Sequence, residues 1–145
     1  ALSAKDYQEA NKINKEQGMG LSKQSWFLFK KIKEIDSFLE IRNRPSVFES
    51  HPELVFQVMK GEAIKTKKNT QEGLKERIDI LVENGFDKKF IDKFINEKNS
   101  FYKNDDFIDS CSLFWSAKRA GKKNEIQIPK KIIKDEKGII MQMKI

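Results

Sequence analysis

The chain has 145 residues, 38% of them hydrophobic and 35% charged, and its formal net charge is +7. A chain of this length can bury one hydrophobic core, to which 11 Phe and 2 Trp contribute large side chains. The one cysteine, Cys111, excludes an internal disulfide and suits a reducing compartment, so we expect a cytoplasmic protein. No apolar run approaches the roughly 18 residues of a membrane span, and no signal-peptide pattern opens the sequence.

The excess of lysine and arginine permits an acidic partner such as nucleic acid. The alternative is a lysine-rich composition spread over every exposed helix face, because lysine is a common solubilising residue. Composition alone leaves both interpretations open.

Two helices are predicted in the first third of the chain. One begins after Ser3 as N-cap, stops at Gly18 and has a thin apolar face typical of a surface helix. The second runs from Ser22 to about Ile41 and carries apolar residues every three or four positions, which predicts a core-facing stripe. The stripe consists of Trp26, Phe29, Ile32, Ile35, Phe38 and Leu39.

A short extended segment is predicted next. Pro45 ends the second helix, and "SVFES" at 46–50 is short, partly β-branched and bounded by prolines, as buried strands are. Pro52 favours an extended His51 and suits the first position of a new helix, which we expect to end at Gly61.

The rest of the chain predicts more helices and two short strands. The helices begin at Asn69 or Thr70, at about Lys88 and near Asn104, and Gly85 ends the first of them. A Gly-Lys loop at 121–123 leads to the strands "EIQIP" and "KGIIMQMKI". The predicted class is therefore α/β and rich in helix, with too few strands for so many helices, as in part of a larger fold.

Three carboxylates stand at the start of the helix "NDDFIDSCSLFWSAKR". Asp105 and Asp106 lie four and three residues before Asp109, so both are its neighbours on a helix surface. The three acids point largely away from the apolar stripe and complement the helix dipole, which favours a solvated helix start. However, Asp106 and Asp109 repel each other there, and a divalent cation would remove that repulsion.

A second acidic stretch, "ESHPE", contains Glu49 and His51. In α/β folds a carboxylate at a strand end, next to a helix start, lies where the chemistry is usually placed. The alternatives are an edge residue for Glu49, a dipole-complementing Glu53 and a hydrogen-bonded structural role for His51. Glu49 together with Asp106 and Asp109 is the kind of carboxylate set that binds Mg²⁺ for phosphodiester cleavage.

Taken together, these stretches resemble the domain of unknown function 429 family, whose members are predicted ribonuclease-H-like nucleases. The matching pieces come in family order and are "GLSKQSWFLFKKIKEID", "VFESHPELVF", "KKNTQEGLKERIDIL", "DDFIDSCSLFWSAKR" and "DEKGIIMQM". The resemblance implies a ribonuclease-H-like fold, here an incomplete mixed sheet with flanking helices. Residues 1–145 would then be a single domain, the C-terminal portion of that fold.

The resemblance also implies site residues. Glu49 is similar to the carboxylate at the end of the family's fourth strand, and Asp106 and Asp109 are similar to the acids on its last core helix. These three would be catalytic ligands of Mg²⁺ or Mn²⁺, with His51 ordering the site or shuttling a proton. Basic and polar residues in the other shared stretches, which near phosphate would position the nucleic-acid backbone, are Lys23, Gln24, Lys67, Lys68 and Arg77. The alternative for each of these five is a surface charge or a cap.

The chain departs from the family pattern at its start. The family usually begins with a strand bearing the first catalytic Asp and a hairpin, and this sequence starts after both, at Ala1. We therefore expect a fragment of a longer protein, a truncated coding sequence, or a second chain that pairs with the exposed sheet edges. The functions left open are a metal-dependent nuclease, inactive if its first ligand is missing, and a non-catalytic nucleic-acid-binding or self-associating domain.

Overall fold

The computed structural model describes residues 1–41, 45–98, 101–120, 122 and 124–145. The chain divides into two compact units, Ala1–Val47 and Phe48–Ile145. The described residues contain six α-helices and one two-stranded antiparallel sheet. The predicted richness in helix is confirmed, whereas the sheet is much smaller than the one expected. The assignment of 1–145 to a single domain stays a prediction.

The first unit contains the helices α1 (Tyr7–Glu16) and α2 (Lys23–Leu39). The N-cap of α1 is Asp6, whose carboxylate accepts a backbone N–H of the first turn, so the helix begins later than the predicted Ser3. The N-cap of α2 is Ser22, as predicted. Short polar side chains cap these helices because they accept the N–H groups that have no partner within the helix.

The predicted core-facing stripe of α2 is only partly covered: Trp26 and Phe29 are partly buried, but the helix has no fully buried residue. Ile32 is 44% exposed and Ile35 is 53% exposed. The Trp26 ring makes edge contacts with Tyr7 and Phe29, with centroids 6.4 and 5.3 Å apart. A stripe is buried only where a second apolar surface meets it, and α1 contributes few apolar side chains to this unit.

Four helices build the second unit: α3 (Pro52–Lys60), α4 (Gln71–Glu83), α5 (Lys88–Asn96) and α6 (Asn104–Ala120). Pro52 opens α3 as predicted, and Gly61 ends it in the left-handed conformation, with φ of 81°. Thr70 caps α4 and is one of the two predicted caps. These helix ends follow from local chemistry, since proline presets the first turn and glycine adopts positive φ without strain.

The core of the second unit lies where its four helices meet. Phe56, Leu81, Ile91 and Ile108 come from α3, α4, α5 and α6 in turn, and each is at most 1% exposed. Partly buried apolar residues surround them: Met59, Ile64, Leu74, Ile78, Val82, Phe86, Ile95 and Phe107. The helices that carry the candidate acids are therefore held by a packed interior.

The sheet consists of β1 (Gln127–Ile128) and β2 (Met143–Lys144). The strand predicted at 46–50 does not form, and Glu49 makes only an isolated parallel bridge with Met143. A strand needs a neighbour along its length, and β2 is only two residues long. In the predicted loop at 121–123, positions 121 and 123 lie outside the described residues.

Polar contacts tie the C-terminal segment to Glu49 and to α6. The Lys144 N–H donates to the Glu49 carbonyl at 2.8 Å, and the Ser116 hydroxyl donates to the Lys144 carbonyl at 3.2 Å. The Lys144 ammonium pairs with Glu125 at 3.0 Å and lies 3.9 Å from the centroid of the Phe48 ring. The hydrogen bond from Lys144 is the main reason why the pKa of Glu125 is lowered. The backbone at Glu49 is thus fixed near the second half of α6.

The thiol of Cys111 offers a simple test of this packing. Cys111 is 6% exposed and burial raises its pKa. Because the thiolate is the reactive form, we expect Ellman's reagent at pH 8 to label the folded protein at least about tenfold more slowly than the urea-unfolded protein. The chain has one cysteine, so the absorbance reports this site alone. Equal rates in the two states would contradict the burial of this face of α6.

Candidate functional site

The predicted acids lie in the first two turns of α6. The Asp106 carboxylate accepts the Lys103 N–H at 3.1 Å, which is the contact that an acidic residue makes in a capping box. Asp109 instead forms an ion pair with Lys68, whose Nζ lies 3.1 Å from its Oδ2. One acid thus serves the helix start, whereas the other has a tertiary partner 41 residues away.

The Lys68 ammonium pairs with one carboxylate of α6, and two further carboxylates act on it through their charge. The pKa of Lys68 is raised, first by its hydrogen bond with Asp109, next by the charge of that carboxylate, and more weakly by the charges of Asp105 and Glu53. We call Lys68, Asp105, Asp109 and Glu53 the Lys68 cluster. It brings Lys68 and Asp109, which the sequence singled out separately as a phosphate contact and a metal ligand, into one ion pair.

Glu53 is held in the cluster by Arg77. The two side chains form a bidentate ion pair, with Nε–Oε1 at 3.0 Å and Nη2–Oε2 at 2.6 Å. Arg77 is only 3% exposed, and its Nη1 also donates to the Gly73 carbonyl at 2.9 Å. The guanidinium lies 5.8 Å from the centroid of the Phe56 ring. A planar guanidinium fixed in this way sets the orientation of the carboxylate at the start of α3.

The sequence left Arg77 open between a phosphate contact and a surface charge, and its alternative interpretation of Glu53 was a residue that complements the helix dipole. The structure instead pairs these two side chains with each other, and a phosphate would reach Arg77 only after the pair had opened. Arg77 therefore acts here as a positioning residue for Glu53. The two residues are 24 positions apart, and nothing in their spacing indicates the pair.

A second set of polar contacts ties the end of α3 and the loop 61–70 to α4. The Lys60 ammonium lies 2.7 Å from Oε1 of Glu76, and the Thr66 hydroxyl donates to the other oxygen of that carboxylate. The pKa of Glu76 is lowered, first by the hydrogen bond from Lys60 and then by the one from Thr66. These contacts restrain the loop that carries Lys68.

The same loop packs closely on the first turn of α4. The Thr70 hydroxyl donates to the Lys67 carbonyl at 2.8 Å. A Cβ atom added at Gly73 would lie 2.7 Å from the Lys67 carbonyl carbon and would also overlap its oxygen. Only glycine allows the loop to approach this closely, and the approach places Lys68 beside α6.

Glu49 and His51 are both exposed in the segment that precedes α3. The backbone of Glu49 is tied to Lys144, which bonds to Ser116 of α6. Ser116 follows Asp109 by seven residues, a separation of about 10 Å along the helix axis. The anchor of Glu49 is thus about two helical turns away from the Lys68 cluster.

The metal centre that the resemblance implies needs carboxylates that lie close together. Among the described residues, no three His, Cys, Asp or Glu side chains are grouped so that they could hold a metal ion. Glu49, Asp106 and Asp109 therefore do not form a preformed three-ligand cage, and their ligand roles stay predictions.

The other predicted phosphate-binding residues are exposed. Lys23 and Gln24 open α2 in the first unit, and Lys67 precedes Lys68 in the loop 61–70. Their roles stay predictions. Within the part of the chain that the structure describes, no helix is long and apolar enough to cross a bilayer.

The fold and the Lys68 cluster define a helix-rich domain in which α3, α6 and the loop 61–70 bring opposite charges together. A profile of the family described as "Protein of unknown function (DUF429)" matches residues 1–132, and the chain belongs to this family. The resemblance inferred from the sequence motifs is thereby confirmed at the level of the family. No curated protein and no solved structure matches the chain significantly.

Proposed function

We propose that this chain is part of a divalent-metal-dependent nuclease with a ribonuclease-H-like fold, and that Asp109 is the central carboxylate of its site. The observation that carries the proposal is the ion pair between Lys68 and Asp109, at 3.1 Å, to which Asp105 and Glu53 add negative charge that acts on the ammonium. A site that attracts an ammonium to several carboxylates also attracts a divalent ion. When bound, Mg²⁺ or Mn²⁺ would activate the attacking water and stabilise the leaving oxygen.

Each residue of the cluster has a role in this proposal. Asp109 and Asp105 hold the ion, while Arg77 keeps Glu53 oriented beside them. Lys68, which neutralises Asp109 in the structure, exchanges this partner for a substrate phosphate. The family resemblance supports Glu49 and Asp106 as further ligands and His51 as a proton shuttle. The net charge of +7 favours a polyanionic substrate.

The experiment is a cleavage assay with the full-length protein of which this chain is part, on labelled single-stranded and duplex RNA and DNA, with Mg²⁺, with Mn²⁺ and with EDTA. We expect metal-dependent cleavage, and we expect Asp109→Asn to lower its rate at least about 100-fold. The variant keeps the shape of the side chain but loses the negative charge that would bind the metal ion. Asp92→Asn is the matched control, since Asp92 also pairs with a lysine, Lys88, at 3.0 Å, but lies on α5. That control should cleave like the wild type.

Two results would refute the proposal. One is the absence of metal-dependent cleavage by the wild-type protein with any of the four substrates. The other is cleavage by Asp109→Asn at the wild-type rate. Salt-sensitive binding of nucleic acid without turnover would instead support the non-catalytic binding module.

The exposed apolar side chains of the C-terminal segment favour a second candidate, a self-associating interaction domain. These side chains are 43–56% exposed and belong to Ile126, Ile132, Ile133, Ile140 and Met141. They flank a sheet of two short strands, and sheet edges pair readily with further chains. Sedimentation velocity at several concentrations tests this candidate, which predicts a dimer that Ile140→Lys weakens. A monomer at every concentration would rule it out.

A further inference from the structure

The carboxylates of the Lys68 cluster have one cation that is held firmly and one that is exchangeable. Arg77 is 3% exposed and makes two contacts with Glu53, at 3.0 and 2.6 Å. The Lys68 side chain is 45% exposed and reaches Oδ2 of Asp109 through a contact of 3.1 Å. Water readily solvates a half-exposed ammonium on a flexible stem, whereas a buried guanidinium would lose its charge partner without gaining water. Lys68 is therefore the cation that can leave.

The loop that carries Lys68 is held by contacts other than this ion pair. The Thr66 hydroxyl donates to the Glu76 carboxylate of α4, and the Thr70 hydroxyl donates to the Lys67 carbonyl at 2.8 Å. These contacts fix the loop 61–70 against α4, on the side away from the ammonium. The Lys68 side chain can thus change its partner while the loop stays in place.

The ammonium occupies the position that a bound cation would take at Asp109. The Asp109 side chain is 20% exposed, and Asp105 lies one turn before it on the same face of α6. The charges of Asp105 and Glu53 also act on the ammonium. Hard divalent ions bind the same carboxylate oxygens. Since no three-ligand cage is preformed among the described residues, such an ion is held weakly, and one competing ammonium matters.

We propose that Lys68 is a built-in competitor of the divalent ion at Asp109, so that an ion binds there only by displacing the ammonium. The inference rests on the proposed function, because it concerns the ion which that proposal assigns to Asp109. In the metal-free protein the ammonium neutralises the carboxylate and keeps the affinity for divalent ions low. Once displaced, the ammonium is available to a phosphate of the substrate.

The test measures Mn²⁺ binding to the full-length protein of which this chain is part, without nucleic acid. The electron paramagnetic resonance signal of free Mn²⁺ falls as the ion binds, so a titration gives the affinity. Lys68→Met removes the ammonium and keeps a long side chain. We expect this variant to bind Mn²⁺ at least about fivefold more tightly than the wild type, because the competing charge is gone.

Lys65→Met is the matched control for the loss of one positive charge. Lys65 is an exposed lysine of the same loop, three residues before Lys68. Salt screens exposed charges that lie farther from the site, so this variant should raise the Mn²⁺ affinity by less than about twofold. The difference between the two variants measures competition at Asp109 apart from the general effect of net charge.

Two further variants test the contact itself. Lys68→Arg keeps the positive charge and should bind Mn²⁺ within about twofold of the wild type. In the Asp109→Asn background the shared carboxylate is gone, so adding Lys68→Met should raise the affinity no more than adding Lys65→Met does. Circular dichroism checks that each variant is folded, which we expect because the Lys68 side chain is 45% exposed.

Three outcomes would overturn the inference. They are equal Mn²⁺ affinity in Lys68→Met and Lys65→Met, an undiminished gain from Lys68→Met in the Asp109→Asn background, and no Mn²⁺ binding by either the wild type or Lys68→Met. Tighter Mn²⁺ binding by Lys68→Met without cleavage of any nucleic acid would refute the nuclease proposal and leave the competition between Lys68 and the ion standing.

Discussion

Glu53→Gln is expected to lower the free energy of unfolding by about 3 kcal/mol, and more than Arg77→Met does. The asymmetry follows from burial: the Arg77 side chain is 3% exposed and that of Glu53 is 30% exposed. Without the carboxylate, a buried guanidinium keeps its full charge in a medium that solvates it poorly. Without Arg77, the partly exposed carboxylate is solvated by water, and methionine fills the apolar space beside Phe56.

Urea unfolding followed by circular dichroism measures this difference. Arg77→Met should cost about 1 kcal/mol, and the double variant should cost at least about 1 kcal/mol less than the sum of the single variants. Glu72→Gln is the control, since Glu72 is also an acid in the first turn of a helix, α4, and is exposed. It should change stability by less than about 0.5 kcal/mol. Additive effects would show that the ion pair does not couple α3 to α4.

The parts of the fold that the sequence predicted correctly are set by local chemistry. Ser22, Pro52, Gly61 and Thr70 act within one turn of their own helix, so their residue types suffice to place the helix ends. The apolar stripe of α2 and the strand at 46–50 depend on partners elsewhere in space. The periodic spacing of apolar residues shows which face of a helix or strand could be buried, but it does not show that another element covers that face.

The same distinction applies to the candidate site. Asp109 and Lys68 were singled out for separate reasons, and the structure brings them into contact across 41 residues. The pair between Arg77 and Glu53 was not predicted, because a bidentate pair between two helices leaves no periodic signal. The contact between Lys68 and Asp109 depends on the course of the loop 61–70 in space, and the spacing of residues in the sequence does not predict that course.

Gly73→Ala is expected to destabilise the protein by about 2–3 kcal/mol, although alanine is the better helix former. In an ordinary helix interior the same change stabilises by about 1 kcal/mol, so the sign of the effect identifies the cause. The new Cβ atom would overlap the Lys67 carbonyl, which is backbone and cannot rotate away as a side chain does. Either the loop 61–70 or the first turn of α4 must then move.

Movement of the loop would also displace Lys68 from Asp109, so stability and the site should change together. Thermal or urea unfolding gives the first readout, and the rate of metal-dependent cleavage gives the second. Gly20→Ala is the matched control: its Cβ would have Asn11 Oδ1 as its nearest atom, at 3.7 Å, and stability should change by less than about 0.5 kcal/mol. A Gly73→Ala protein more stable than the wild type would show that the loop lies farther from α4. In that case the close approach would no longer explain how Lys68 reaches the carboxylates of α6.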